Sequence, residues 1–174
     1  MENREMTKGN YVAYGTNGIC EIEDVKPLSF TSGAEKSLYY ILRPANSQGS
    51  TIFVPAGNET LTSRIRSLMT KDEIDALLTG MRDKELAWEQ DRRFRTENFH
   101  EILMKGVQQE LLLMIRCIYL KKQELEASGK KLPATDGNTL KAAEKLVEEE
   151  FSHVLHIAPG EVGEYIRSLL QVSD

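Results

Sequence analysis

Two groups of side chains in this sequence have types and spacings that could do chemistry. Glu149, His153 and His156 fall at i, i+4 and i+7. On one helix they would share a face, and a carboxylate with two imidazoles can hold a divalent metal. No fourth ligand accompanies them, and the surrounding run is rich in glutamate, so a solvated polar face is the commoner outcome. The second group is Trp88-Glu89-Gln90-Asp91-Arg92-Arg93-Phe94-Arg95. If helical, it puts Trp88, Arg92 and Arg95 on one face. Guanidinium forks suit phosphate oxygens, and a flat indole can stack on an unpaired base or wedge into a minor groove. Such stacking is worth roughly 1–3 kcal/mol per base. The competing assignment is a core tryptophan with arginines paired to Glu85, Glu89 or Asp91, and the residues alone favour it. Nothing resembles GxxxxGK, GxGxxG after a strand, HExxH or GxSxG. The expectation is therefore a protein that is not an enzyme, with no cofactor, no resident metal and no small-molecule substrate.

The elements that would carry these groups change period partway along the chain. From Asn10 to Pro55 the text reads as short strands: Tyr11 to Tyr14, Ile19 to Val25, Ser37 to Arg43 and Thr51 to Val54. Gly15-Thr16-Asn17-Gly18, Ser32-Gly33 and Asn46-Ser47-Gln48-Gly49 punctuate them as turns. Several short strands with tight turns predict a small antiparallel barrel whose free edge can recruit a partner strand. From Thr70 the apolar residues recur at helical spacing. Thr70-Lys71-Asp72-Glu73 has the capping-box pattern, and that helix stops at Gly80. A second helix is predicted over 86–105, ending at Gly106. A third carries Val107, Leu111, Met114, Ile115, Ile118 and Leu125, widened by Leu112, Leu113 and Leu120, and closes at Ser128-Gly129. Thr135 or Asp136 is a candidate cap for a fourth, bearing Leu140, Ala143, Val147, Phe151 and Val154. Ala158-Pro159-Gly160 precedes a short last helix with Val162, Tyr165, Ile166 and Leu169. The class expected is α+β, with a β module over residues 1–65 and a helical domain over 66–174.

The chain has 174 residues, 40% hydrophobic and 28% charged, as in ordinary globular proteins. Its net charge of −5 argues against coating nucleic acid by bulk attraction, though not against a local basic contact. Neither cysteine belongs to a CxxC pair, so Cys20 and Cys117 read as buried thiols in a reducing compartment. No apolar run approaches the roughly 20 residues that cross a bilayer. The polar start, Met1 to Gly9, has no signal-peptide core. A cytoplasmic location is the expectation.

In the N-terminal half, Gly9-Asn10-Tyr11-Val12-Ala13-Tyr14-Gly15-Thr16-Asn17-Gly18 followed by Ile22-Glu23 resembles the opening of the CarD and CdnL family. That opening is shared with the polymerase-interacting module of transcription-repair coupling factors. Tyr39-Tyr40-Ile41-Leu42, Ile52-Phe53-Val54-Pro55, Arg66-Ser67-Leu68, the Trp/Arg-Arg-aromatic segment and Leu132-Pro133-Ala134 are similar to later family motifs, in the same order. The resemblance covers roughly residues 8 to 157. It implies a Tudor-like barrel that docks on the RNA polymerase β subunit by an edge strand, here through Tyr39, Ile41, Arg43, Ile52, Phe53 and Val54. It also implies a helical domain that contacts promoter DNA at the upstream edge of the transcription bubble and stabilises the open complex. Trp88 would be the wedge, and Arg92, Arg93 and Arg95 would hold phosphates. The chain departs from the family in placing Trp88 four positions before Arg92, with Asp91 closer to the usual tryptophan position. Phe53 stands where a basic residue is often found. The rival expectation is an adaptor that binds polymerase without touching DNA.

Overall fold

A computed structural model describes residues 6–47 and 49–170. The first five residues of the polar start, and Gln48 of the turn at 46–49, lie outside the described residues. The chain divides into two compact units, 1–68 and 69–174.

The first unit is a five-stranded antiparallel sheet in the order β4-β3-β2-β1-β5. Its strands are β1 (Tyr11–Tyr14), β2 (Ile19–Leu28), β3 (Ser37–Pro44), β4 (Ile52–Pro55) and β5 (Ile65–Ser67). Gly18, at φ +71°, lets the chain reverse between β1 and β2. A register shift between Ile22 and Asp24 marks a bulge where β2 pairs with β3. A short helix, α1 (Glu59–Thr62), follows β4, with Asn58 Oδ1 accepting from Leu61 N at 3.1 Å. The division expected after residue 65 falls inside β5. Arg66 and Ser67 pair with Ala13 and Val12 of β1, so the sheet keeps them. The core of this unit is Val12, Tyr14, Cys20, Ile22, Leu42 and Val54.

The second unit is helical: α2 (Lys71–Gly80), α3 (Arg92–Lys105), α4 (Gln108–Ala127), α5 (Ala134–Leu155) and α6 (Val162–Leu170). The α+β class, a Tudor-like sheet module followed by helices, is as expected. The capping box at Thr70 forms as its spacing predicts: Glu73 N donates to the Thr70 hydroxyl at 3.2 Å, and Thr70 N donates to the Glu73 carboxylate at 3.3 Å. Ile74, Leu78, Phe99, Leu111, Met114, Ile118, Ala143, Val147, Phe151 and Val162 form one apolar core. Gly106, at φ +64°, ends α3 in the left-handed conformation. Both cysteines are free and buried. No described helix is long and apolar enough to cross a membrane.

Four helical expectations need correction. The second helix begins at Arg92 rather than near residue 86, because the Asp91 carboxylate accepts from Arg93 N and Phe94 N and caps it there. Neither Thr135 nor Asp136 caps α5. Pro133 holds that position with no side-chain bond, and Asp136 sits inside the first turn. His156 lies past the end of α5 in the left-handed region (φ +57°), so it does not share a helical face with Glu149 and His153. Leu120 and Val107 are exposed rather than part of the apolar face of α4.

Candidate functional site

Alternation along β3 and β4 divides the residues expected to meet polymerase between two faces of the sheet. Leu42 pairs with Ile52 and Tyr40 with Val54, and all four belong to or pack on the core. Val54 is 0% exposed, so its side chain is unavailable to a partner, and Ile52 packs beside it on the inner face. The opposite face carries Tyr39, Ile41 and Arg43, with Phe53 directly across from Ile41. Ile41 is itself buried, at 6% exposure, although it lies outside the inner core. What this face offers a partner is an aromatic cluster. Phe30, from the β2–β3 connection, packs edge-on against both Tyr39 and Phe53, each at 5.2 Å between ring centroids. Phe30 is 65% exposed and Phe53 43%. The exposed Arg43 reaches back across the same sheet to Glu23 at 2.6 Å. β4 ends the strand order, so among the described residues one of its edges has no strand neighbour.

In the helical unit the segment before α3 is irregular, and Trp88 lies on it half-buried, packed against the core. Its ring meets Phe99 edge-on at 6.2 Å. The Arg95 guanidinium stands over the indole at 4.3 Å from the centroid, and the Lys121 ammonium lies 5.7 Å away. Both distances suit cation–π attraction. Arg95 is 5% exposed and fully engaged. Its Nε and Nη2 donate to the two carboxylate oxygens of Asp136 at 2.9 and 3.0 Å, while Nη1 donates to the Glu89 carbonyl at 2.9 Å. The phosphate role expected of Arg95 is therefore not available to it: a buried carboxylate already holds its fork. Trp88, Arg92 and Arg95 also do not form a helical stripe, since only the last two are on α3.

The exposed residues here are different ones. Arg92 and Arg93 open α3, both in solvent. Arg93 bonds Glu97 at 3.2 Å, a surface pair of the kind worth under about 1 kcal/mol. Between them and Arg95 stands Phe94, 64% exposed. Sequence reasoning missed Phe30, Phe94, Lys121 and Asp136. Asp136 is 41 residues from Arg95, so no local pattern links them.

Burial raises the Cys117 thiol above its ordinary value, with Glu85 adding to the shift and Arg95 opposing it. A thiol raised in this way is a poorer nucleophile than an ordinary cysteine. Elsewhere Tyr165 on α6 donates to Asp75 on α2, which also accepts from Lys71 at 2.9 Å. The tyrosine bond and then the lysine bond hold the Asp75 carboxyl below its usual range.

Residues 6–69 match the family model of the CarD-like/TRCF RID domain. No curated protein matches the chain. The matched segment is the sheet unit almost end to end, and the helical unit lies beyond it. Residues 6–69 are therefore similar to the CarD-like/TRCF RID domain, an RNA polymerase-interacting module.

Proposed function

We propose that this chain is a non-enzymatic regulator of transcription initiation. Its sheet docks on the β subunit of RNA polymerase, and its helical unit touches promoter DNA at the upstream fork of the bubble. The observation that carries the docking is the Phe30–Tyr39–Phe53 cluster, which exposes large aromatic rings on a polymerase-interacting module. Exposed aromatic rings of this kind anchor interfaces, because they bury much area with few rotamers to lose. Docking would then hold the helical unit near DNA at high effective concentration, so a weak DNA contact suffices. A contact made more strongly with melted than with paired strands shifts the closed-to-open equilibrium, since only differential affinity moves a population. Each 1.4 kcal/mol of such preference is about tenfold. The site of action would be the cytoplasm, on polymerase at the nucleoid.

The test uses the full chain and intact polymerase. Replacing Phe30 and Phe53 together by Ser should weaken binding about tenfold or more, since truncated anchor residues commonly cost 2 kcal/mol or more. Unchanged affinity would move the docking surface elsewhere. A second reading, an adaptor that binds polymerase and leaves DNA alone, is favoured by one observation: Arg95 is buried on Asp136 and Trp88 is packed beneath it. The two readings separate on salt, because phosphate contacts weaken steeply as ionic strength rises.

A further inference from the structure

Helix α4 is apolar on more sides than its own unit buries. Leu111, Met114 and Ile118 face the core and are at most 1% exposed. A surface helix ordinarily turns charged residues to the side opposite its core row. On α4 the opposite row is Gln109, Leu113, Arg116, Leu120, Gln123 and Ala127, spaced alternately by four and three residues. Arg116 alone in that row is charged. Leu120 is 44% exposed, and Tyr119 beside the row is 49% exposed. Alternating steps of four and three make the seam along which one helix meets another.

The charges beside the seam select what covers it. Arg116 stands four residues before Leu120, and Glu124 stands four residues after it. The exposed Arg116 guanidinium donates to the Lys84 carbonyl at a long 3.4 Å. The Glu124 side chain is 67% exposed, in a surface pair with Lys121 at 3.2 Å. Two copies laid antiparallel across Leu120 bring each Arg116 toward the other copy's Glu124. Parallel copies would instead set Arg116 against Arg116, and facing like charges disfavour that arrangement. Glu124 and Glu126 along the seam repel nucleic acid, while Gln109, Arg116 and Gln123 make the row too polar to enter a lipid surface.

We propose that the outer seam of α4 is a self-association surface, on which a second copy of this chain packs antiparallel with the two Leu120 side chains in contact. The size of the seam sets the strength. A helix of 20 residues is about 30 Å long and about 10 Å across. Contact along it covers roughly 600 Å² over both copies, below the roughly 1,000 Å² of a stable interface. The dimer is therefore weak and forms in the micromolar range or above. It requires no contact with polymerase or DNA.

Sedimentation equilibrium of the full chain from about 1 µM to about 1 mM, the range of weak association, tests the proposal. The mean mass of the parent should rise from that of one chain toward that of two. Leu120→Glu should stay at one chain throughout. Because Leu120 is exposed, the circular dichroism and melting of that variant should match the parent's. Arg116→Glu and Glu124→Arg should each weaken association about tenfold, and the two changes together should restore it. Should Leu120→Glu melt early, the charge swaps decide. A parent that stays at one chain over the whole range overturns the proposal and leaves the seam to a different protein. A Leu120→Glu chain that associates as the parent does also overturns it. Single swaps without effect, or a double swap that restores nothing, overturn the antiparallel pairing.

Discussion

Arg95 and Asp136, 41 positions apart in sequence, form a two-point ion pair that is almost completely buried, at 2.9 and 3.0 Å. The same guanidinium covers the only tryptophan of the chain. Three segments meet there: the stretch before α3, α3 itself and the first turn of α5. The pair thus fixes the end of the unit on which Arg92, Arg93 and Phe94 are displayed.

Removing one partner of a buried pair leaves an unpaired charge in a poorly solvated place. Asp136→Ala should lower stability by about 3–5 kcal/mol. Denaturant unfolding followed by Trp88 fluorescence measures this, since the indole reports its own surroundings. The double change Arg95→Met with Asp136→Leu should recover much of the loss, because apolar replacements of similar size leave no orphaned charge. A single variant as stable as the parent would mean that water reaches the pair.

Arg43 and Glu23 provide the control. Their bond is as short, at 2.6 Å, but both side chains are more than a third exposed. Arg43→Ala should therefore change stability by under about 1 kcal/mol. The same denaturation experiment, followed by circular dichroism, checks it, and a loss comparable to that of Asp136→Ala would contradict the assignment of cost to burial.

The Asp75–Tyr165 bond makes a pH-dependent contribution to the docking of α6 on α2. Asp75 is held below its ordinary value of 3.8 in the folded protein. Its contribution is therefore fully present above about that pH and is lost as pH falls through the lower, folded value. Tyr165→Phe removes the largest cause of the shift. Thermal melting at neutral pH and at decreasing pH should show the variant less stable at neutral pH, with a shallower loss in acid. Parallel curves would exclude the bond as the source.

Local patterns disclosed the strands, the capping box at Thr70 and the helix stop at Gly106, because each depends on neighbours within a few residues. They did not disclose which side of β3 is wet. Leu38-Tyr39-Tyr40-Ile41-Leu42 is apolar throughout, and only the pairing with β2 and β4 sorts it into an inner row and an outer one. The start of α3 was legible in principle, since Asp91 is a strong capping residue placed just before it. A helical period carried back to Trp88 gives a stripe with Arg92 and Arg95 that the fold does not contain, because the helix starts only at Arg92. The burial of Arg95 is hidden from the sequence for a different reason. Its partner comes from a distant helix, and an arginine in a basic run looks the same in sequence whether it faces solvent or a buried carboxylate. Phe94 and Phe30 were passed over because exposed aromatics are identified by what fails to cover them.

Chemical footprinting of unpaired bases in a promoter–polymerase complex, with and without the chain, decides whether the helical unit acts at the fork. With the chain bound, reactivity at the upstream edge of the bubble should change and those bases should stay open longer after challenge. Identical reactivity and identical decay, with the chain bound to polymerase throughout, would contradict it.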